Sequence, residues 1–193
     1  NLSIPSDPLE LASSNPIIID AFQQELPWIR NKMQTVIETH CISVLTKSNI
    51  DFYRDIILPC CQQLAIELTD GSITNEEAPL LLNAAHELFL MNDTNDPQKA
   101  HEAVSFLTNF FLDRLRHLSP QRKTDFINTL SKADIAPTML IAPLVQLFTG
   151  LATSLPLLIS NVMLALFTNE EAQKLYLSSP SQGINELLRY AGP

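Results

Sequence analysis

IAPTMLIAPLVQLFTGLATSLPLLISNVMLALFTN, residues 135–169, runs for 35 residues without a charged side chain. Two readings compete for it. A membrane span needs about 20 apolar residues, and this run is long enough. Against a span stand Pro137, Pro143 and Pro156, Gly150, and the polar set Gln146, Thr149, Thr153, Ser154, Ser160 and Asn161. The flanks are acidic, Asp134 on one side and Glu170-Glu171 on the other, where membrane anchors are usually basic. A helix that is apolar all round and stays out of a bilayer must be buried by its neighbours. The run therefore predicts a long central helix over 137–167, the most buried element of an all-α fold, with no membrane span.

The rest of the chain agrees with helices. Upstream, Ile29, Met33, Val36, Ile37, Cys41, Val44 and Leu45 follow the spacing of one buried stripe and predict a helix over 27–47. Pro27 suits the first turn, where its missing N–H has no intrahelical partner. Residues 1–26 read as an irregular or short-helix lead-in, because 1–16 are rich in Ser, Pro and Asn. Asp51 is a candidate cap for a second helix, which Pro59 should kink or break near Leu58. Thr74 and Glu77 form a capping box for a helix reaching about Met91. Asp96-Pro97 opens another, with Val104, Leu107, Phe111, Leu115 and Leu118 on one face. A shorter one after Pro120 carries Phe126, Ile127 and Leu130. Thr168 to Glu171 and Ser179 to Gln182 read as two further capping boxes near the C-terminus. No alternating runs of Val, Ile and Thr bounded by turns occur, so little sheet is expected.

Composition sets the outer limits. The 193 residues suit one domain, 1–193, with 27–193 as its core. Apolar residues make up 46%, enough to bury a real core, and four glycines against thirteen prolines disfavour hairpins. A net charge of −9 argues against nucleic acid, since there is no basic stripe to neutralise phosphates. The one basic cluster, Arg114, Arg116, Arg122 and Lys123, reads as a solvated helix end. Cys41, Cys60 and Cys61 give no disulfide framework, which suits a reducing, cytoplasmic setting.

Searches for familiar chemistry return little. The sequence has no Gly-rich phosphate loop, HExxH, CxxC or Gly-x-Ser-x-Gly. His40, His86, His101 and His117 lie far apart, each on a predicted helix, and read as partly buried or surface residues. Glu76-Glu77 and Glu170-Glu171 sit at helix starts, where the helix dipole already explains them.

The C-terminal segment carries more. Glu186-Leu-Leu-Arg189-Tyr190 followed by Ala-Gly-Pro193 resembles the Glu-x-x-Arg helix of cytochromes P-450 and the turn after it. Spacing i, i+3 places the carboxylate and guanidinium on one helix face, where a bidentate pair can form. Upstream, residues 147–154 resemble the oxygen-binding half of that family's central helix, and residues 158–166 its second half. Residues 124–130 resemble the short element ahead of that helix. Asn49-Ile-Asp-Phe-Tyr-Arg-Asp-Ile-Ile-Leu-Pro59 resembles the family's Asp-Leu-Val-x-Asp-Phe-Ala-x-Pro entry into another helix. The order and spacing of these pieces, from about Pro27 to Pro193, carry the resemblance.

The departures define the functional expectation. Where the family has an acid followed by Thr, this chain offers Ala152 or Thr153, so Gly150, Thr153 and Ser154 form a degenerate oxygen site without a carboxylate to relay protons. The family's Phe-x-x-Gly-x-x-x-Cys-x-Gly haem loop lies beyond its Glu-x-x-Arg helix, and no cysteine here sits in such a loop. Haem belongs to this chain only if a further C-terminal part supplies the ligand, and the chain as it stands implies no cofactor and no metal. Two functions follow from the resemblance. One is a non-catalytic binding or interaction module that has lost haem chemistry and takes a small apolar ligand. The other is a fragment of a haem-thiolate monooxygenase. The resemblance also implies a partly buried Glu186–Arg189 pair. It further implies an uncovered apolar face at Leu147, Phe148, Leu151, Leu155 and Leu158, closed by homodimerisation or by residues 1–26, with Ile17, Ile18, Ile19 and Phe22.

Overall fold

A computed structural model describes residues 8–44, 46–69, 73–90, 96–117, 125–132 and 136–191. The first helix, α1, spans Pro8–Val44 and contains both Pro16 and Pro27. The expected lead-in to residue 26 is thus corrected: residues 8–26 belong to one helix with 27–44. Ile18, Ala21 and Ile29 are buried against the core, and Ile17 and Phe22 pack beside them. Burial of this helical stripe offsets the hydrogen bonds that two interior prolines remove, as tertiary packing commonly overrides local propensity.

Asp51 does cap the next segment: its Oδ1 accepts the Arg54 N–H at 3.0 Å, while Asp55 Oδ2 accepts the Asp51 N–H at 2.9 Å. Lys47 donates to the other Asp55 oxygen at 2.6 Å, and that bond, with the Asp51 N–H, holds the Asp55 carboxyl below its ordinary range. The break expected near Leu58 is a π turn over Tyr53–Ile57, leading into α2, Leu58–Thr69. The Leu58 N–H reaches back five residues to the Tyr53 carbonyl. Pro59 follows at once. Its ring would strike the carbonyl four residues back in a regular helix, and the wider turn relieves that clash. The same device recurs at Gly150–Ser154, where the Leu155 N–H bonds the Gly150 carbonyl just ahead of Pro156.

The Thr74–Glu77 box opens α3, Glu77–Phe89: Thr74 N–H donates to Glu77 Oε2 at 2.9 Å, and Glu77 N–H to Thr74 Oγ1 at 3.2 Å. Asp96 caps α4, Pro97–His117, through the Lys99 N–H. Glu77 also ties the two helices, accepting from Arg114 at 2.8 Å, and Arg114 lies 4.8 Å over the Phe110 ring. Arg114 is therefore not a solvated helix end; its side chain is only 15% exposed. Arg122 and Lys123 fall outside the described residues. The short α5 covers Asp125–Ser131.

The uncharged run forms α6 (Pro137–Thr149), the second π turn, and α7 (Leu155–Thr168). Its first half is central. Leu140, Leu144 and Phe148 are fully buried among α1, α2, α3 and α4, and Phe148 meets Phe111 edge-on at 5.5 Å. Its second half is not. Pro156 alone is buried in α7, while Leu164 and Phe167 are 62% and 67% exposed. The expectation that 137–167 is buried throughout is corrected accordingly. At 32 residues, with a mean hydropathy of 1.8 in its most apolar window, Pro137–Thr168 is long and apolar enough to cross a membrane. Ile18 and Ile19 of α1 line an open groove together with Leu147, Leu151, Leu155 and Leu158 of the expected apolar face.

Beyond the core, α7 packs mainly on α8 (Glu170–Ser178) and α9 (Pro180–Ala191). Asn169, not Thr168, caps α8: its side-chain oxygen accepts from the Glu171 and Ala172 N–H groups at 2.9 and 3.1 Å. The Thr168 hydroxyl turns back to the Leu164 carbonyl instead. Helices α8 and α9 touch through Gly183, where a Cβ would fall 2.5 Å from the Tyr176 Cα. The described residues contain helices and no strand, as the composition implied.

Candidate functional site

Three residues one turn apart, Gln146, Gly150 and Ser154, form a ridge along α6 and the π turn, with a hollow on each side. The hollow toward α3 and α4 is a cavity of about 540 Å³. Leu88, Val104, Leu112, Ile141 and Val145 give it apolar walls, and Thr108, Thr138, Gln146, Thr149 and Ser154 supply polar groups. Among the described residues no charged side chain lines it. That volume and mixture suit a small organic molecule held by apolar contact and oriented by a few hydrogen bonds.

Thr149 is the notable polar group. Its hydroxyl oxygen is buried and has no hydrogen-bond partner among the described residues. A threonine in a helix ordinarily satisfies its hydroxyl on the carbonyl one turn back, as Thr153 does here toward the Thr149 carbonyl at 2.6 Å. Leaving a buried hydroxyl unpaired costs about 1–3 kcal/mol, and because this oxygen is closed off from the cavity as well as from solvent, a ligand reaches it only if the Thr149 side chain turns.

The hollow toward α1 is a more open groove of about 920 Å³. Ile18, Ile19, Phe89, Pro143, Leu147, Leu151, Leu155, Leu157 and Leu158 line it, with Asn161 as its polar end. Here too no charged side chain appears among the described residues. Between the hollows the ridge is notched at Gly150, where an added Cβ would meet nothing within 4 Å.

The structure brings Gly150, Thr153 and Ser154 together in the π turn, Gly150 and Ser154 lining both hollows. Thr153 is buried, with its hydroxyl bonded to the helix backbone. Glu186 and Arg189 lie elsewhere, on α9. Their carboxylate and guanidinium pair twice, at 3.0 and 2.6 Å, and the bonds hold Glu186 below the ordinary carboxylate range. The side chains are 45% and 69% exposed, so the expected partial burial gives way to a surface pair. The face of α9 that packs inward is that of Gly183 and Leu187.

The cysteines do not fit a haem-thiolate ligand. Cys60 and Cys61 are 2% and 1% exposed within the packing around α2, and neither they nor Cys41 line the two hollows. Burial raises both thiols, Cys61 to about 12, which favours the neutral thiol over the thiolate an iron needs. None of the four histidines lines either hollow. Among the described residues no three His, Cys, Asp or Glu side chains converge as a metal site would require.

No family model, characterised protein or solved structure matches the chain. Thr108, Thr138 and Thr149 were not singled out from sequence as site residues. The available signal was polar residues recurring at helical spacing inside an uncharged run, at 146, 149, 153 and 154, around Gly150.

Proposed function

We propose that this protein is a non-catalytic binding module that takes a small, uncharged, largely apolar molecule into the cavity between α3, α4 and α6. The observation that carries the reading is a cavity of about 540 Å³ whose described lining sets Thr108, Thr138 and Thr149 among apolar walls and includes no charged side chain. Such a lining rejects charged ligands by desolvation and orients neutral ones through its few polar groups. Among the described residues neither hollow is lined by an acid, histidine or cysteine, and no proton-transfer or nucleophilic role is assigned there.

In this reading the helical core resembles that of the cytochromes P-450 through the order of its motifs, and haem chemistry is not assigned to it. The module works in the cytoplasm without spanning a membrane and without nucleic acid. It forms a homodimer through the exposed apolar residues of its last three helices, Leu164, Phe167, Leu177, Ile184 and Leu188. An apolar surface of that kind marks an interface more often than free solvent-facing area.

The test is titration with N-phenyl-1-naphthylamine, a neutral dye that brightens in apolar sites. Saturable binding near one dye per chain is expected, and Ala142→Phe, which fills the cavity from a partly exposed position, should abolish it. Equal binding by a folded Ala142→Phe variant would contradict the proposal.

A further inference from the structure

The two hollows share Gln146, Gly150 and Ser154, and they differ in polarity. Hydroxyls gather in the cavity, while the groove is almost wholly aliphatic and aromatic. The ridge between them has no side chain at its midpoint, because Gly150 ends at its Cα and the space beyond is empty to 4 Å. A single elongated molecule can therefore occupy both, crossing at Gly150.

We infer that the ligand is a neutral, single-chain amphiphile whose polar end lies in the cavity among Thr108, Thr138 and Thr149 and whose aliphatic tail crosses Gly150 into the groove lined by Ile19, Leu151 and Leu157. This rests on the reading of the cavity as a binding site. Charge selects the class. Among the described residues neither lining holds a Lys, Arg or His to pair a carboxylate or phosphate, so an anionic head would lose its hydration without compensation. Shape selects the rest. The cavity alone suits a compact molecule, but the groove continues from it at about 920 Å³ with apolar walls, and each methylene placed there leaves water favourably. Ile19 and Leu157 are 53% and 40% exposed along this groove, and a tail lying on them would remove that exposure.

The experiment titrates the full chain with 1-hexanol, 1-decanol and decanoate by displacement of the naphthylamine dye. It compares the parent with an Ile19→Glu/Leu157→Glu double variant, whose substitutions fall at exposed positions outside the cavity. Decanol should bind at least 30-fold more tightly than hexanol to the parent, and decanoate at least 10-fold more weakly than decanol. In the double variant decanol should fall to within about threefold of hexanol, with hexanol unchanged and helicity retained. Hexanol binding with no gain for decanol, or a gain that the folded double variant preserves, would overturn the inference while leaving the cavity reading intact. Loss of hexanol binding in Ala142→Phe together with a flat chain-length series would do the same. A dimer that the double variant dissociates, again with no gain for decanol, would assign the groove to a second copy and overturn it also. Absence of dye and hexanol binding altogether would instead remove the cavity reading.

Discussion

Two helical glycines predict opposite outcomes for one and the same substitution. Gly150 has ordinary helical dihedrals, φ −58° and ψ −44°, and a methyl added there would touch nothing within 4 Å. Gly→Ala inside a helix is worth about 0.5–1 kcal/mol, because glycine loses more backbone freedom on folding. Gly150→Ala should therefore stabilise the protein by about that amount. Gly183 also lies in a helix, and propensity alone forecasts the same gain. Its Cβ, however, would fall 2.5 Å from the Tyr176 Cα and 2.9 Å from the Tyr176 nitrogen, against about 3.5–4 Å for relaxed carbon contacts. Backbone atoms have no rotamer to escape into, so α8 and α9 must separate by about 1 Å. Overpacking of this kind costs about 1–3 kcal/mol, and the upper end applies when the neighbour is main chain. Subtracting the propensity gain leaves Gly183→Ala about 2 kcal/mol less stable. For a chain of this size each kcal/mol moves Tm by about 2–4 °C. Thermal unfolding followed by far-UV circular dichroism should show Gly150→Ala melting about 2–3 °C higher and Gly183→Ala about 4–8 °C lower. A Gly183→Ala protein that melts at or above the parent would refute the close approach of α8 to α9.

Further outcomes follow from the core, a cap and the thiols. Phe148→Ala, at a fully buried ring against Phe111, should cost about 3–5 kcal/mol in urea titration, and a cost below 1 kcal/mol would remove α6 from the centre of the fold. Glu77→Ala removes both the reciprocal cap of α3 and the partner of Arg114, and should cost about 1–2 kcal/mol; Glu77→Gln, which keeps the cap but not the charge, should cost less. With a thiol reagent at pH 8 Cys41 should react in the native protein, and Cys60 and Cys61 only after unfolding, since burial protects them. The pH dependence has a definite sign. The Cys61 thiol, raised from 9.0 to about 12, binds its proton more tightly folded than unfolded. Its stabilising contribution is full below pH 9 and is lost as pH climbs toward 12, and Cys61→Ala should flatten that alkaline decline.

Most of the helices were legible because their signals are local. The stripe from Ile29 to Val44, the Thr74–Glu77 box, the Asp96 cap and the proline-induced irregularity before Pro59 all depend on residues within a turn or two of one another. The errors arose where a distant surface decides. Residues 8–26 look like a lead-in by composition, yet Ile18 and Ala21 meet the core, and that contact keeps Pro16 and Pro27 inside a helix. Hydropathy treats 137–168 as one object, whereas packing divides it at Gly150–Ser154, burying Phe148 and exposing Phe167. Glu186 and Arg189 pair as their spacing requires, but spacing says nothing of which face of α9 turns inward. The site was half legible for the same reason. Gly150, Thr153 and Ser154 stand out within the uncharged run, while Thr108, on α4, reaches the cavity only because α4 packs across α6.

The most direct test of the binding-module account is to locate a bound apolar molecule. Crystals of the full chain soaked in iodobenzene should show one dominant anomalous peak between Thr108 and Thr149, in the cavity beside α6. Peaks confined to other surfaces, with Leu88, Val104 and Ile141 closed over the space, would contradict it.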